Sequence, residues 1–433
     1  MFSIPRKIHF IGIGGAGMAG LAGILHEKGY EVTGSDLRDN SAVRYLAGRG
    51  ITVALGHDIK NLPACSSELL VVRSSAVNDE NIEFSEALKR GIKCVLRGEM
   101  LAAVASLYRC PVAVAGSHGK TTVTAMLVHI LLENGLKPGY MIGGKVNRME
   151  FSASAGESEI FITESDESDG TQIHLHPEIL LITNIEDDHS WTLGGEEVLF
   201  RNFRTIADNS RYVIYGNTEA ALSLLKDHDA AVCLDYNEKN EIEALLSGWE
   251  PFQLENALLA VNGAIKLNIS KENAVKALQS FPGVERRMTV RYRDNSTVLI
   301  EDYAHHPTEV KAVLSSLRQK YSDYSLKVLF QPHRYARLAK YINEFAEVLR
   351  SADKVIVIPV FAAWVEDGAV NGGTLAERIG SKAVYTEDNE DAVSELIKDS
   401  DGRKEIIAVL GAGDVDMMIP ALIKKIEEQN EEK

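Results

Sequence analysis

The sequence predicts an α/β protein of three domains, each built on a mainly parallel sheet with flanking helices. Three observations lead there. Short β-branched runs alternate with helical patterns almost from end to end, two glycine turns each follow an apolar strand and open a helix, and 433 residues leave room for about three compact units.

In chain order, Lys7-Ile8-His9-Phe10-Ile11 reads as a strand entering a glycine turn, and residues 18–28 carry a helical pattern that Gly29 closes. Strands follow at 30–34, 69–73 and 94–96, with a helix over 85–90. Near residue 108 the pattern restarts. Residues 111–115 form a new apolar strand, a second glycine turn follows, and 121–133 are helical; 160–163 and 179–183 are further strands of that domain. Phe281-Pro282-Gly283 punctuates the chain again. Strands at 297–300, 326–330, 355–360 and 406–410 then build a third sheet, and the charged tail, 424–433, is a helix end expected to fray. The domains are therefore expected at 1–108, 109–282 and 283–433.

Composition narrows the partners. Lysine and arginine total 46 against 62 aspartates and glutamates, a formal charge of −16. That balance opposes binding to nucleic acid or an anionic membrane, which needs clustered basic charge, but permits a small anion in a locally positive pocket. With 45% hydrophobic and 25% charged residues, the chain has globular proportions. Cys65, Cys94, Cys110 and Cys233 are scattered without a C-x-x-C pair, so neither zinc nor disulfides are expected. The first residues lead straight into a strand with no signal-peptide pattern, and no window approaches ~18 apolar residues. A cytoplasmic protein without membrane insertion is expected, as a monomer or weak homodimer.

Gly12-Ile13-Gly14-Gly15-Ala16-Gly17 fits G-x-G-x-x-G between a strand and a helix. Such glycines let backbone N–H groups approach a diphosphate at the positive end of the helix. Asp36, at the end of the second strand, stands where a dinucleotide fold holds its ribose-contacting acid. Alone, this turn points to NAD; with the rest of the chain, the identity of the nucleotide diphosphate stays open.

Ala115-Gly116-Ser117-His118-Gly119-Lys120-Thr121-Thr122 is a shorter variant of the P-loop, because Val114 stands where the strict pattern has glycine. Its chemistry is complete. The glycines free backbone to wrap phosphates, Lys120 offers a point charge, and the Thr121 hydroxyl suits Mg²⁺. Two strands end in Glu164-Ser165-Asp166-Glu167-Ser168-Asp169-Gly170 and in Asn184-Ile185-Glu186-Asp187-Asp188-His189. Ligands of parallel sheets collect beyond the carboxyl ends of the strands, so these groups should converge on Lys120.

A third set gathers at strand ends in the last third: Arg286-Arg287, Asp302-Tyr303 with His305-His306, and His333-Arg334-Tyr335-Ala336-Arg337. In so acidic a chain it suggests anion recognition, with Arg334 and Arg337 expected on one face of a helical turn.

Together these segments resemble the Mur ligase family. The matching stretches are 12–18, 116–122, 164–170, 183–189, 283–287, 302–307, 330–337 and Leu410-Gly411-Ala412-Gly413-Asp414, in the family's order and across all three domains. The resemblance implies a Rossmann-like first domain, a P-loop-type central ATPase and a Rossmann-like third domain. It implies an ATP-dependent ligase joining L-alanine to the lactyl carboxylate of UDP-N-acetylmuramate through an acyl phosphate, for peptidoglycan precursor synthesis. The alternatives are a relative that attaches a recycled peptide and a catalytically weakened nucleotide binder. A rival from another class is an NAD-dependent oxidoreductase, which leaves the second glycine turn without a purpose.

By the same resemblance, Gly14, Gly15, Ala16, Gly17, Ser35, Asp36, Ser75 and Arg97 line the UDP-sugar pocket. Gly116, Ser117, His118, Gly119, Lys120, Thr121 and Thr122 surround the ATP phosphates, and Lys120, Glu164 and His189 carry the catalysis. Thr121, Glu164 and His189 hold Mg²⁺, Asn256 contacts adenine, Arg287 the phosphates and Asp302 the ribose; Tyr303, Arg334 and Arg337 form the alanine pocket. The chain departs from the family pattern at Phe252-Gln253, which replace a His-Asn pair, and at Glu301, where an aspartate is usual. The stretch from His189 to Asn256 is also shorter, as if a strand hairpin were missing.

Overall fold

The structure is a computed structural model that describes residues 2–64, 68–188, 190–235, 237–362, 368–398 and 403–431. Among these residues the strands form three sheets. The first is built from β1 (Lys7–Ile11), α1 (Ala16–Glu27), β2 (Glu31–Asp36), α2 (Ser41–Gly48), β3 (Thr52–Leu55), β4 (Leu69–Arg73), α3 (Ile82–Lys89), β5 (Lys93–Leu96) and α4 (Arg97–Ala105). Its strands are all parallel in the order β3-β2-β1-β4-β5. Central β1 is covered on both faces, which is why four of its five residues are buried and read as one apolar run broken only by His9.

Local signals explain where the helices begin. α1 starts two residues before the expected position because Gly15, still extended, is its N-cap. The Asn81 side chain accepts from the Glu83 and Phe84 amides and starts α3 three residues early. α4 was not expected; its cue is Glu99, which reaches back to the Leu96 N–H at 2.8 Å.

The second sheet is built from β6 (Cys110–Ala115), α5 (Lys120–Glu133), β7 (Gly139–Met141), β8 (Ala153–Ser154), β9 (Ile160–Glu164), β10 (Ile179–Ile182), α6 (Ser190–Leu193), α7 (Glu196–Asp208), β11 (Tyr212–Tyr215), α8 (Glu219–Leu225), β12 (Ala231–Cys233), α9 (Asn237–Leu245), α10 (Pro251–Lys266) and α11 (Lys271–Leu278). The order is β12-β11-β10-β6-β9-β7-β8, parallel except for β8. β6 therefore runs between β9 and β10, and the loop after it opens between their carboxyl ends.

The third sheet is built from β13 (Thr289–Arg293), β14 (Thr297–Asp302), α12 (Pro307–Lys320), β15 (Ser325–Phe330), α13 (Tyr335–Leu349), β16 (Lys354–Val357), α14 (Gly372–Ile379), β17 (Ala383–Tyr385), α15 (Asn389–Ile397), β18 (Glu405–Leu410) and α16 (Ile419–Glu431). Its order is β13-β14-β18-β15-β16-β17, with β13 alone antiparallel.

The chain divides into two compact units, residues 1–284 and 285–433. In the first, both sheets share one apolar cluster that runs from Phe10 and Leu21 to Phe161 and Phe203. Tyr45 stacks on Phe151 with centroids 4.0 Å apart, and the Tyr108 hydroxyl donates to Ala155 O at 2.7 Å. The Glu27 carboxylate accepts the Ala155 amide at 2.7 Å, and α1 lies so close to Met141 and Ala153 that a methyl on Gly20 would meet Met141 at 3.1 Å. Among the described residues, no helix is long and apolar enough to cross a membrane.

Candidate active site

At the first glycine turn, Gly12 takes φ +79° and sends its N–H to Ser35 O at 2.8 Å, joined by the Ile13 N–H at 3.0 Å. Asp36 closes the turn from beneath, accepting the Gly14 amide at 2.8 Å. A methyl on Gly14 would meet Asp36 Oδ2 at 2.9 Å and Val43 at 2.8 Å, so glycine is required there. The Arg97 side chain lies over Gly17, 3.1 Å from where a methyl would stand. Its guanidinium reaches across to the second sheet, where it binds Asp169 at 2.5 Å and Thr171 Oγ1 at 3.3 Å. The two glycine turns thus belong to one continuous piece of structure. Ser35 is fully buried with its hydroxyl turned inward to Glu83, whereas Ser75 is exposed in the turn after β4.

The second turn follows β6 and opens α5. Gly116 takes φ +132°, and a methyl there would collide with the Thr183 hydroxyl; Gly119 takes φ +84°, and a methyl there would lie 2.6 Å from Asn256 Oδ1. Asn256, on α10, therefore backs this loop. The carboxyl end of β10 pins the loop. Thr183 Oγ1 and Asn184 Nδ2 donate to His118 O at 2.6 and 3.1 Å, and the Ser117 amide donates to Asn184 O. Glu186 adds a bond between its amide and Ser117 Oγ at 2.8 Å, and its carboxylate lies 3.3 Å from His118 Nε2.

Lys120 folds back onto this loop, donating to Gly116 O at 2.6 Å and Ser117 O at 3.1 Å and pairing with Glu167 at 2.8 Å. Burial pulls its ammonium down, but the Glu167, Asp166 and Glu164 charges outweigh burial and shift it upward. Glu167 is itself buried, and burial pushes its carboxyl up to about 7 even though Lys120 pulls the other way. Thr121 Oγ1 donates to Glu164 at 2.9 Å, and the Gly143 amide holds the other carboxylate oxygen at 2.5 Å. Burial raises the Glu164 carboxyl despite these two donors. A hydroxyl and a half-buried carboxylate side by side are hard oxygen donors of the kind Mg²⁺ takes, and a cation there would favour the ionised carboxylate. His189, the third expected metal ligand, lies outside the described residues.

Gln253 has a structural use. Its side-chain oxygen accepts the Glu250 amide at 3.0 Å and, with Glu250, forms the capping box that starts α10 one turn before Asn256.

In the second unit, Asp302 ends β14 with its carboxylate bound to the Met288 amide at 2.7 Å and the Ala304 amide at 2.8 Å. Burial pushes its carboxyl up to about 6 against the pull of Arg287. Those bonds shape the turn at Arg286 and Met288, both at positive φ. The Arg286 and Arg287 guanidiniums lie 5.2 and 5.0 Å from the centroid of the Tyr303 ring. Glu301 is fully buried and pairs with Arg286 at 2.7 Å and Arg291 at 2.5 Å.

One expectation is corrected here. Arg334 and Arg337 do not share a helix face: Arg334 precedes α13 with φ +66°, and Arg337, inside the helix, is fully buried. Arg337 Nη1 lies 3.1 Å from His333 Nδ1 and 3.3 Å from His333 O. The chain reverses at His333-Arg334, where the Arg334 amide donates to Phe361 O, so the helical pattern begins one residue too late to include Arg334.

The structure thus brings Gly116 to Thr122, Glu164 and Asn256 together, and links Arg97 and Gly17 to them through Asp169. Of the strand end 164–170 expected at Lys120, Glu167 does reach it; sequence reading missed that Asp169 pairs with Arg97, that Thr183 pins the loop and that Glu301 pairs with arginines.

Three family models match the chain: the Mur ligase family catalytic domain over residues 7–109, the Mur ligase middle domain over 114–247 and the Mur ligase glutamate ligase domain over 286–413. The chain is 36% identical over 452 residues to the UDP-N-acetylmuramate--L-alanine ligase of Aquifex aeolicus (strain VF5), spanning 97% of this chain and 98% of that protein. It is 34% identical to the ligase of the same name from Thermobifida fusca (strain YX), spanning 97% and 96%. Among solved structures, the UDP-N-acetylmuramate-alanine ligase of Thermotoga maritima superposes with a TM-score of 0.77 at 25% identity, covering 98% of this chain and 99% of that one. A murein peptide ligase from Psychrobacter arcticus 273-4, at 22% identity and a TM-score of 0.67 over 97% and 98%, shares the fold.

Proposed function

The chain belongs to the Mur ligase family, and from that premise we propose that it joins L-alanine to the lactyl carboxylate of UDP-N-acetylmuramate, converting ATP to ADP and phosphate. The observation that carries this reading is the loop between β6 and α5. Two positions there tolerate only glycine, and a half-buried lysine is held in readiness by carbonyl oxygens and a carboxylate, as the outer phosphates of a nucleoside triphosphate require.

A carboxylate does not yield to an amine at neutral pH, because its oxygen is too poor a leaving group. The lactyl carboxylate must first attack the γ-phosphorus of ATP, releasing ADP and forming an acyl phosphate. The alanine amine then displaces phosphate through a tetrahedral intermediate and loses its proton. Two anions meet in the first step, and at ~4 Å they repel by about 4 kcal/mol at an effective dielectric near 20. Lys120 offsets that repulsion by leaving Glu167 and the loop carbonyls for the phosphates. Thr121 and Glu164, with His189, would hold Mg²⁺, which supplies further positive charge on the phosphate oxygens.

Around this centre, Gly14 to Gly17, Asp36, Ser75 and Arg97 would receive the sugar nucleotide, with Ser35 acting from the buried side. Asn256, Arg287 and Asp302 would receive the rest of ATP, and Tyr303, Arg334 and Arg337 the amino acid. The sugar nucleotide would fall to residues 1–108, ATP mainly to 109–282 with Arg287 and Asp302 added from 283–433, and the amino acid to 283–433, in a cytoplasmic monomer or weak homodimer. Phosphate release from ATP, measured with UDP-N-acetylmuramate and alanine, glycine, serine or a tripeptide in turn, tests the reading. Release is expected with alanine and absent in Lys120→Ala. Release driven by the tripeptide alone, or substantial turnover in that variant, would overturn it.

A further inference from the structure

The sugar-nucleotide reading of the first glycine turn, on which this inference rests, leaves unused a buried polar cluster directly behind that turn. Glu83 on α3 is fully buried and accepts from Ser35 Oγ at 2.6 Å, Asn61 Nδ2 at 2.7 Å and the Asp58 amide at 3.0 Å, with His9 Nε2 at 3.2 Å. Burial alone would raise its carboxyl, but these donors outweigh burial and hold it at about 2. Glu83 is therefore ionised and can only accept.

That fixes the direction of the next bond. A serine hydroxyl has one proton, and Ser35 gives it to Glu83. The 3.0 Å contact between Ser35 Oγ and His57 Nδ1 must then be donated by His57. A neutral His57 thus carries its proton on Nδ1, which leaves Nε2 as a bare acceptor. Nε2 has no protein partner among the described residues, and the His57 side chain is 14% exposed.

Its place is as informative as its tautomer. His57 follows β3, whose last residue Leu55 is in register with Asp36, and the Gly56 amide donates to Asp36 O at 2.8 Å. Ser35, the next link, holds the Gly12 and Ile13 amides through its carbonyl. With a diphosphate on the glycine turn and the ribose at Asp36, the base of a bound nucleotide lies over the ends of β2 and β3.

We propose that His57 reads the base of the sugar nucleotide, its Nε2 accepting the N3–H of uracil, with Ser35 and Glu83 as positioning residues that fix its tautomer. In a uridine nucleotide N3–H is the only N–H donor of the base. Cytosine carries a lone pair at N3, and the two acceptors would then face each other, leaving a desolvated group unpaired.

Calorimetric titration of UDP, CDP and 3-methyl-UDP tests this without turnover. The wild type should bind UDP about tenfold more tightly than either of the others, the worth of one well-made hydrogen bond set against an unpaired acceptor. His57→Phe should bind all three at the weaker level. Ser35→Ala should narrow the UDP to 3-methyl-UDP ratio, and Ser35→Thr should restore it, which a merely structural role for Ser35 would not do. The 3-methyl-UDP comparison needs no variant: equal affinity for UDP and 3-methyl-UDP in the wild type overturns the proposal, as does undiminished discrimination in His57→Phe. A wild type that binds ATP but none of the three pyrimidine nucleotides overturns the sugar-nucleotide reading as well.

Discussion

Replacing Glu167 with glutamine isolates the electrostatics of the loop between β6 and α5. The Glu167 carboxyl stands at about 7 against an ordinary value of 4.5, raised by burial. The difference of 2.5, at 1.36 kcal/mol per pKa unit, is about 3 kcal/mol. The sign follows from the direction. A carboxyl raised on folding binds its proton more tightly in the native state, so its contribution is fully present below 4.5 and is lost as pH rises through 7. Glu167→Gln cannot titrate. Urea denaturation of wild type and variant at a series of pH values across that window should show the wild type losing about 3 kcal/mol relative to the variant. Taking the difference at each pH cancels the titrating groups that Glu167 does not touch. Lys120→Met should push the Glu167 carboxyl higher still and destabilise the protein, whereas the double variant with Glu167→Gln should recover most of that loss. Parallel stability curves for wild type and Glu167→Gln would refute the reasoning, because they would mean that Glu167 titrates alike in both states.

Three further outcomes are expected. Gly119→Ala combines φ +84° with a methyl 2.6 Å from Asn256 Oδ1, so ATP affinity by calorimetry should fall at least tenfold and stability by about 1–3 kcal/mol; adding Asn256→Ala should relieve the contact but not the backbone strain. Glu83→Gln should cost about 3 kcal/mol by urea denaturation at neutral pH, because the wild-type carboxylate, held at about 2, contributes stability above 4.5 that is lost as pH falls toward 2. Arg334→Ala should raise the KM for the amino acid several-fold with a smaller change in the KM for ATP, and an unchanged alanine dependence would remove Arg334 from that pocket.

The frame of the fold was legible because its signals are local. Strands such as Ile179–Ile182 are buried on both faces and spell themselves as apolar runs, and glycines at positive φ mark the turns that follow. What stayed hidden was short or set by distant partners. β3 is a four-residue edge strand with Thr52 and Leu55 both exposed, and β7 and β8 are three and two residues long. The second glycine turn could be read from Gly116 to Thr122, yet the groups that hold it come from Thr183, Asn184 and Asn256, up to 140 positions away, and no spacing rule connects them. Arg337 went wrong for a related reason. Helical periodicity says which residues are neighbours, not that one of them has left the helix at Arg334.

The seam where Tyr45 meets Phe151 and Glu27 meets the Ala155 amide has a practical outcome for anyone dissecting the chain. Cutting after residue 108 would strip the flank of α1 and leave apolar surface bare to water on both fragments, an invitation to aggregate. Residues 1–284, by contrast, carry both halves of the seam and make the natural fragment to produce for nucleotide titrations.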